Sequence, residues 1–327
     1  MQLPSLEQIH EAQELIYRYM PPTPQYSWPL INQRLGAEVW IKHENHTPVG
    51  AFKLRSALVY VTWLKESQPA LIGVVAATRG NFGQGVAMAA RLLGLRAVIV
   101  VPRGNSVEKN RAMIAQGAEL VEHGDDFQSS LEFARNFSTE CGLATVESFH
   151  ERLVWGTATF ALELFQSTPP LDRIYVPIGM GSSICGVAAA RNALGLLTEV
   201  VGVTSTGCPA YALSFRQRKL VEAPARTFVA DGQACRTPSL QALEIIWTNV
   251  TRIVEVSDDE IAEAMSIYYQ DTHNLAEGAG ASSLAAALKE ESDLHGKRVG
   301  VVLSGGNVDR ETFVAALTGA FQPARSA

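Results

Sequence analysis

Eight apolar, β-branched runs, each closing in small or turn-forming residues, constrain this chain more than any other feature. They are EVWIK (38–42), LIGVVAA (71–77), RAVIVV (96–101), AELVEH (118–123), RIYVPI (173–178), EVVGVTS (199–205), RIVEV (252–256) and KRVGVVLS (297–304). Several are apolar nearly throughout, as strands buried on both faces are. Helical patterns follow most of them, at 81–93, 106–116, 126–140, 183–195, 257–271 and 308–317. SDDE at 257–260 reads as a capping box, with Ser257 as the cap and Glu260 reaching back to it. Repeated β–α units imply an α/β fold of parallel sheets with helices on both faces, and such sheets bind ligands beyond the carboxyl ends of their strands. The turns after the strands are therefore where chemistry is to be sought.

Length and composition leave this reading open and close others. The 327 residues, 47% hydrophobic and 18% charged, suit two domains or one large α/β unit. A net charge of −6 gives no basic surface for nucleic acid, and RQRK (216–219) reads as a solvated helix end. No apolar run approaches the ~20 residues of a membrane span, and the polar, amphipathic N-terminus is not a signal peptide. Cys141, Cys185, Cys208 and Cys235 are widely spaced without C-x-x-C, so reduced thiols and a cytoplasmic location are expected.

Four turns stand out. PVGAFKLRS (48–56) places Lys53, preceded by Phe52, just inside a helix; alone, it reads as a helix with a surface lysine. ATRGNFGQG (77–85) carries G-x-x-G-x-G, the reverse of the dinucleotide fingerprint, together with Arg79 and Asn81. VPIGMGSSICG (176–186) is a strand, a small-residue loop and a helix start. Its backbone N–H groups and helix terminus form an anion cradle, although a tight βα turn accounts for it equally. VVLSGGNVD (301–309) ends a buried-type strand in Ser304, Gly305, Gly306 and Asn307, and LAEGAGASSLAAA (275–287) starts a small-residue helix. One ligand explains the set: a flat, phosphorylated, carbonyl-bearing cofactor. It needs a cradle for its phosphate, a polar partner for a ring nitrogen (Ser304), an amide for a ring oxygen (Asn81) and a lysine for a Schiff base (Lys53). Pyridoxal 5'-phosphate fits that description.

From about residue 20 to 315 the chain resembles the threonine/serine dehydratase family of fold-type-II pyridoxal-phosphate enzymes, which also includes serine racemase. RLGAEVWIKHENHTPVGAFKLRSA is similar to the family's lysine segment, TRGNFGQGVA to its S-S-G-N loop and PIGMGSSICGVA to its glycine-rich phosphate loop. ADGQACRTP and LSGGNVD match later segments. The resemblance implies a tryptophan-synthase-β-like fold of two doubly wound sheets with the cofactor between two domains. Residues 1–69 and 151–327 would form the larger domain, and 70–150 a smaller, mobile one bearing the Asn81 loop. It further implies that Lys53 forms the Schiff base, Phe52 packs beside the ring, and Gly179, Met180, Gly181, Ser182 and Ser183 cradle the phosphate. Asn81 would meet the ring oxygen and Ser304 the ring nitrogen, with Glu277 and Gly305 also lining the cofactor. Thr78, Arg79, Gly80, Asn81 and Phe82 would form the substrate side, the loop glycines letting backbone N–H groups close on a carboxylate.

The departures carry information. Met180 and Ser182 replace glycines of the phosphate loop, and Phe82 a histidine. Val49, Ala51 and Ser56 depart from the lysine motif. Thr204 and Ser205 stand where an acidic cation ligand is expected, which argues against a divalent activator. The resemblance implies β-elimination of water from a β-hydroxy amino acid such as threonine or serine, with Lys53 as the base, yielding a 2-oxo acid and ammonia. Bulkier substrates and 3-hydroxyaspartate fit the same chemistry. Cysteine synthase shares the fold, but Leu54 after the lysine and Phe52 before it favour the dehydratase branch, while Thr78 is similar to the synthase loop. Racemases keep a second base where Arg79 stands, and a guanidinium is a poor base. Arg79 is read either as a solvent-facing side chain or as a selector for an anionic substrate group. A non-catalytic amino-acid- or pyridoxal-phosphate-binding protein is opposed by the intact Lys53. HENH (43–46) lacks a third zinc ligand, and no G-x-S-x-G elbow appears. A homodimer, a catabolic role and no C-terminal ACT-like regulatory domain are the remaining expectations.

Overall fold

Two separate parallel sheets carry the chain. The computed structural model describes residues 1–125 and 127–320. Asp126, the first residue of the helix predicted over 126–140, and the last seven residues of the segment 151–327 lie outside the described residues. The strands are β1 (Gln25–Ser27), β2 (Glu38–His43), β3 (Gly73–Ala77), β4 (Arg96–Val101), β5 (Glu119–Glu122), β6 (Ala144–Thr145), β7 (Arg173–Pro177), β8 (Glu199–Ser205), β9 (Arg252–Val256) and β10 (Arg298–Leu303). A six-stranded sheet runs β1-β2-β10-β7-β8-β9 and a four-stranded sheet β5-β4-β3-β6. All pairings are parallel except β1 with β2. All eight predicted strands form. β1 and β6 do not register in a periodicity reading because three and two residues are too short to show one.

Burial explains the continuous apolar runs. Every residue of β3 and β7 is buried, because helices cover both faces of each sheet. Helices Asp258–Thr272 and Gly278–Lys289 pack one face of the six-stranded sheet. Glu151–Ser167, Ser182–Ala193 and Leu240–Asn249 pack the other. The four-stranded sheet is sandwiched between Lys53–Ser67 with Asn81–Leu92 and Phe127–Cys141. The predicted capping box is present: Glu260 N donates to Ser257 Oγ at 3.2 Å, and Ser257 N donates to Glu260 Oε2 at 2.6 Å. The carboxyl ends of β3, β7 and β10 run into three of the four turns singled out from the sequence, and the fourth, 48–56, follows β2.

Candidate functional site

Three backbone contacts stitch the end of β10 to the lysine turn. Ala51 bridges Gly305, Phe52 N donates to Ser304 O at 3.1 Å, and Gly306 N donates to Gly50 O at 2.9 Å. Lys53 then opens the helix Lys53–Ser67. Its Nζ lies 4.7 Å from the Phe52 ring centroid and 5.6 Å from that of Phe82. Phe52 is itself held edge-on by Phe160 at 6.1 Å. Burial between these rings pulls the Lys53 ammonium down to about 8, against the opposing pull of Glu277. Ser304 is buried, and its hydroxyl has no hydrogen-bond partner among the described residues.

The turn after β7, where the sequence predicts a cradle, is built around glycine. Gly181 has φ +99°, and a Cβ there would stand 2.7 Å from the Ala242 methyl, so only glycine fits. At Gly179 a Cβ would collide with the Gly232 carbonyl. The helix Ser182–Ala193 begins without a side-chain cap, leaving first-turn N–H groups for an anion. Tyr211 Oη donates to Met180 O at 2.8 Å and accepts from Ser239 N at 3.2 Å, which pins the loop where a family glycine is replaced. The Ser182 hydroxyl has no partner among the described residues, whereas Ser183 Oγ turns back to donate to Pro177 O at 2.8 Å. Ser183 therefore offers the cradle its backbone rather than its hydroxyl.

The loop after β3 approaches from the four-stranded sheet. Asn81 Nδ2 donates to Glu277 Oε1 at 2.7 Å, and Asn81 Oδ1 accepts from Asn307 Nδ2 at 2.7 Å. Burial pushes the Glu277 carboxyl up to about 7, and its Oε2 has no partner. The loop glycines also serve local packing. Gly80 is extended and its N–H donates to Thr78 Oγ1 at 3.2 Å. Gly83 and Gly85 allow close packing: at Gly85 a Cβ would stand 2.8 Å from Lys53 O. Thr78 is buried and Phe82 faces the lysine, so Lys53, Phe52, Asn81, Phe82, Glu277, Ser304 and Gly305 form one connected cluster.

Arg79 stands apart. It is exposed, and its side chain has no partner among the described residues. It lines a cavity of about 240 Å³ with Arg103, Lys109, Asp231 and Asp309. Lys109 pairs with Asp231, and Ser106 Oγ donates to Asp309 Oδ1 at 2.6 Å, so the cavity lies where the two sheets' loops meet. Sequence reading missed Lys109, which belongs to no turn motif, and passed over Asp231 within ADGQACRTP; the two meet across 122 residues.

It also missed a buried charge cluster behind the site. Arg55 donates to Glu44 Oε2 at 2.8 Å and Glu163 Oε1 at 2.6 Å, and Lys42 Nζ donates to Glu163 Oε2 at 2.6 Å. Burial alone would raise the Glu163 carboxyl, but the two cations outweigh it and hold it below its ordinary value. Lys42, Glu44 and Arg55 all sit within the lysine segment, so the signal was spacing within a motif that Lys53 had already explained. His43 and His46 act as anchors: Trp28 Nε1 donates to His43 Nε2 at 3.1 Å, and His46 Nε2 lies 2.9 Å from Asn274 Oδ1.

A desolvated amine, a helix start open to an anion, an unpaired hydroxyl and an oriented amide thus stand in the turns that follow β2, β7, β10 and β3. Their donor set suits a flat phosphorylated carbonyl compound. A family model described as pyridoxal-phosphate dependent enzyme matches residues 16–305. L-threonine ammonia-lyase of Thermotoga maritima is 32% identical over 306 residues, 93% of this chain and 76% of that protein. L-threo-3-hydroxyaspartate ammonia-lyase of Saccharomyces cerevisiae is 31% identical over 320 residues, 98% of each. Among solved structures, maize serine racemase superposes with a TM-score of 0.89 at 28% identity, covering 98% of both chains.

Proposed function

This chain belongs to the pyridoxal-phosphate-dependent enzyme family, and from that premise we propose that it is an ammonia-lyase for a β-hydroxy amino acid of the threonine/serine type. The relatives that act as ammonia-lyases support the reaction class. The observation that carries the reading is the desolvated Lys53 amine, on a turn whose backbone is bonded to that of Ser304, a residue with an unpartnered hydroxyl.

Pyridoxal phosphate, when bound, supplies the electron sink that makes the substrate Cα proton acidic. Lys53 would hold it through its amine, the Gly179–Ser183 turn through its phosphate, Asn81 through its ring oxygen and Ser304 through its ring nitrogen. With the cofactor bound, Lys53 would be the group placed to take the Cα proton; burial lowers its ammonium to about 8, which makes the free amine accessible near that pH. Ser304 would meet the ring nitrogen with a neutral hydroxyl, which would not hold a full positive charge there and would favour prompt loss of the β-hydroxyl. Phe52, Phe82 and Phe160 exclude water from the lysine. The β-hydroxyl departs as water, hydrolysis consumes one water, and the products are a 2-oxo acid and ammonia.

We assign residues 1–69 and 151–327 to the larger domain and 70–150 to a smaller one that closes over substrate. This is supported by β3, β4, β5 and β6 pairing with one another alone among the described residues. We place the enzyme in the cytoplasm as a homodimer. Four unpaired cysteines support the compartment, and gel filtration tests the dimer.

One observation favours a second substrate. At the cavity Arg103 is paired with Asp125 and Lys109 with Asp231, so Arg79, unpartnered among the described residues, is the cation left to meet an anionic side chain such as that of 3-hydroxyaspartate. Ammonia and 2-oxo acid release from L-threonine, L-serine and L-threo-3-hydroxyaspartate decides between them, and no release from any β-hydroxy amino acid overturns the proposal. Arg79→Ser should cut turnover of the acidic substrate several-fold more than that of threonine; equal losses would remove the selector role.

A further inference from the structure

Asn81 is held by two side chains whose own bonds leave its amide a single orientation. Asn307 Nδ2 donates to the Val49 backbone carbonyl at 2.7 Å. A carbonyl only accepts, so the atom facing it is the nitrogen, and its second proton goes to Asn81 Oδ1 at 2.7 Å. The Asn81 oxygen is therefore turned to Asn307 and its nitrogen to Glu277 Oε1, also at 2.7 Å. Nδ2 has two protons; Glu277 takes one, and the other has no partner among the described residues.

Both arms of this clamp have space made for them by glycine. At Gly305 a Cβ would stand 2.5 Å from Glu277 Oε1, and at Gly50, with φ +68°, a Cβ would stand 2.7 Å from Asn307 Oδ1. Glu277 is fixed through its backbone as well, its N–H donating to Gly305 O at 3.1 Å. The carboxyl is 4% exposed and keeps Oε2 buried without a partner, a desolvation cost that folding alone does not call for.

We propose that Glu277 and Asn307 are positioning residues that lock the Asn81 amide, so that its one free N–H is presented to the ring oxygen of the bound cofactor. The inference rests on the pyridoxal-phosphate reading. A freely rotating amide would offer its oxygen to that ring oxygen half the time and repel it; the clamp removes that state in advance.

The test is a double-mutant cycle read as affinity of the apoprotein for pyridoxal phosphate, followed by tryptophan quenching and by the visible absorbance of the bound cofactor. Asn81→Ala and Asn307→Ala should each weaken binding about tenfold, and the double variant should be no weaker than Asn81→Ala, because neighbours acting through one group are not additive. Glu277→Ala should behave as Asn307→Ala does. Glu277→Gln keeps an acceptor for Asn81 Nδ2 and should bind within about twofold of wild type. Full additivity of Asn307→Ala with Asn81→Ala, or equal losses from Glu277→Gln and Glu277→Ala, overturns the clamp while wild-type binding leaves the cofactor reading standing. A wild-type apoprotein that binds no pyridoxal phosphate overturns both.

Discussion

Lys53 and Arg55 lie two residues apart at the start of one helix, and each carries a cation into the interior. Around Arg55 the chain supplies full compensation: Glu44, Glu163, Thr23 and Thr159 all accept from its guanidinium, and Lys42 shares Glu163. Around Lys53 it supplies almost none. Two phenyl rings flank the amine, the nearest carboxyl is shared with Asn81, and the hydroxyls of Ser304 and Ser182 have no partners among the described residues. Burial is common to both. A completed polar network is scaffold, and one left open in the same interior marks the place where a ligand supplies the missing partners.

The sharpest way to break this contrast is to remove each cation in turn. Lys53→Ala should lower 2-oxo acid formation by roughly 10³-fold and abolish the cofactor's visible band. Activity above a tenth of wild type would remove Lys53 from the chemistry. Arg55→Met leaves Glu44 and Glu163 unpaired and should cost about 3–5 kcal/mol of stability, measured by denaturant unfolding. Lys53→Met on the other side deletes a desolvated amine and should leave stability unchanged or slightly raised. If both methionine variants were equally destabilised, the two regions would not differ in kind.

A pH series sharpens the same point. Raising the pH through about 8 removes the Lys53 proton and frees its lone pair. Capture of pyridoxal phosphate by the apoprotein should therefore accelerate roughly tenfold per pH unit below about 8 and level off above it. An unburied lysine would continue to accelerate to about 10.4, so stopped-flow absorbance across that interval separates the two. The smallest effect concerns packing. Gly85→Ala presses a methyl against Lys53 O and should cost about 1–3 kcal/mol with a weakened cofactor affinity, whereas Gly94→Ala, with nothing within 4 Å, should cost strain alone.

The strands were legible because burial on both faces writes itself as a continuous apolar run, and the cofactor turns because they sit where those runs stop. The Lys53, Asn81, Gly181 and Ser304 segments each had local signatures. What was not legible depends on meetings between distant residues. Lys109 with Asp231, and Asn307 with Asn81, are single polar side chains with no periodicity, and only folding shows their partners. Arg55 illustrates a different failure. Its position in the lysine segment was visible, but a charged residue there reads as helix surface until Glu163 arrives from 108 residues away. The loop glycines are ambiguous in a third way, since close helix packing and backbone exposure to a ligand leave the same letters in the sequence.

The helix bearing Lys53 is gripped from two sides by residues that lack a side chain. Gly85 closes on Lys53 O, and at Gly156 a Cβ would stand 2.6 Å from Arg55 O. A chain built this way has little room to vary at its centre: the lysine cannot be re-aimed by substituting its neighbours, because those neighbours are backbone. The exposed Arg79 side chain, without a partner among the described residues, carries no such constraint, so a laboratory library has room there that the centre lacks.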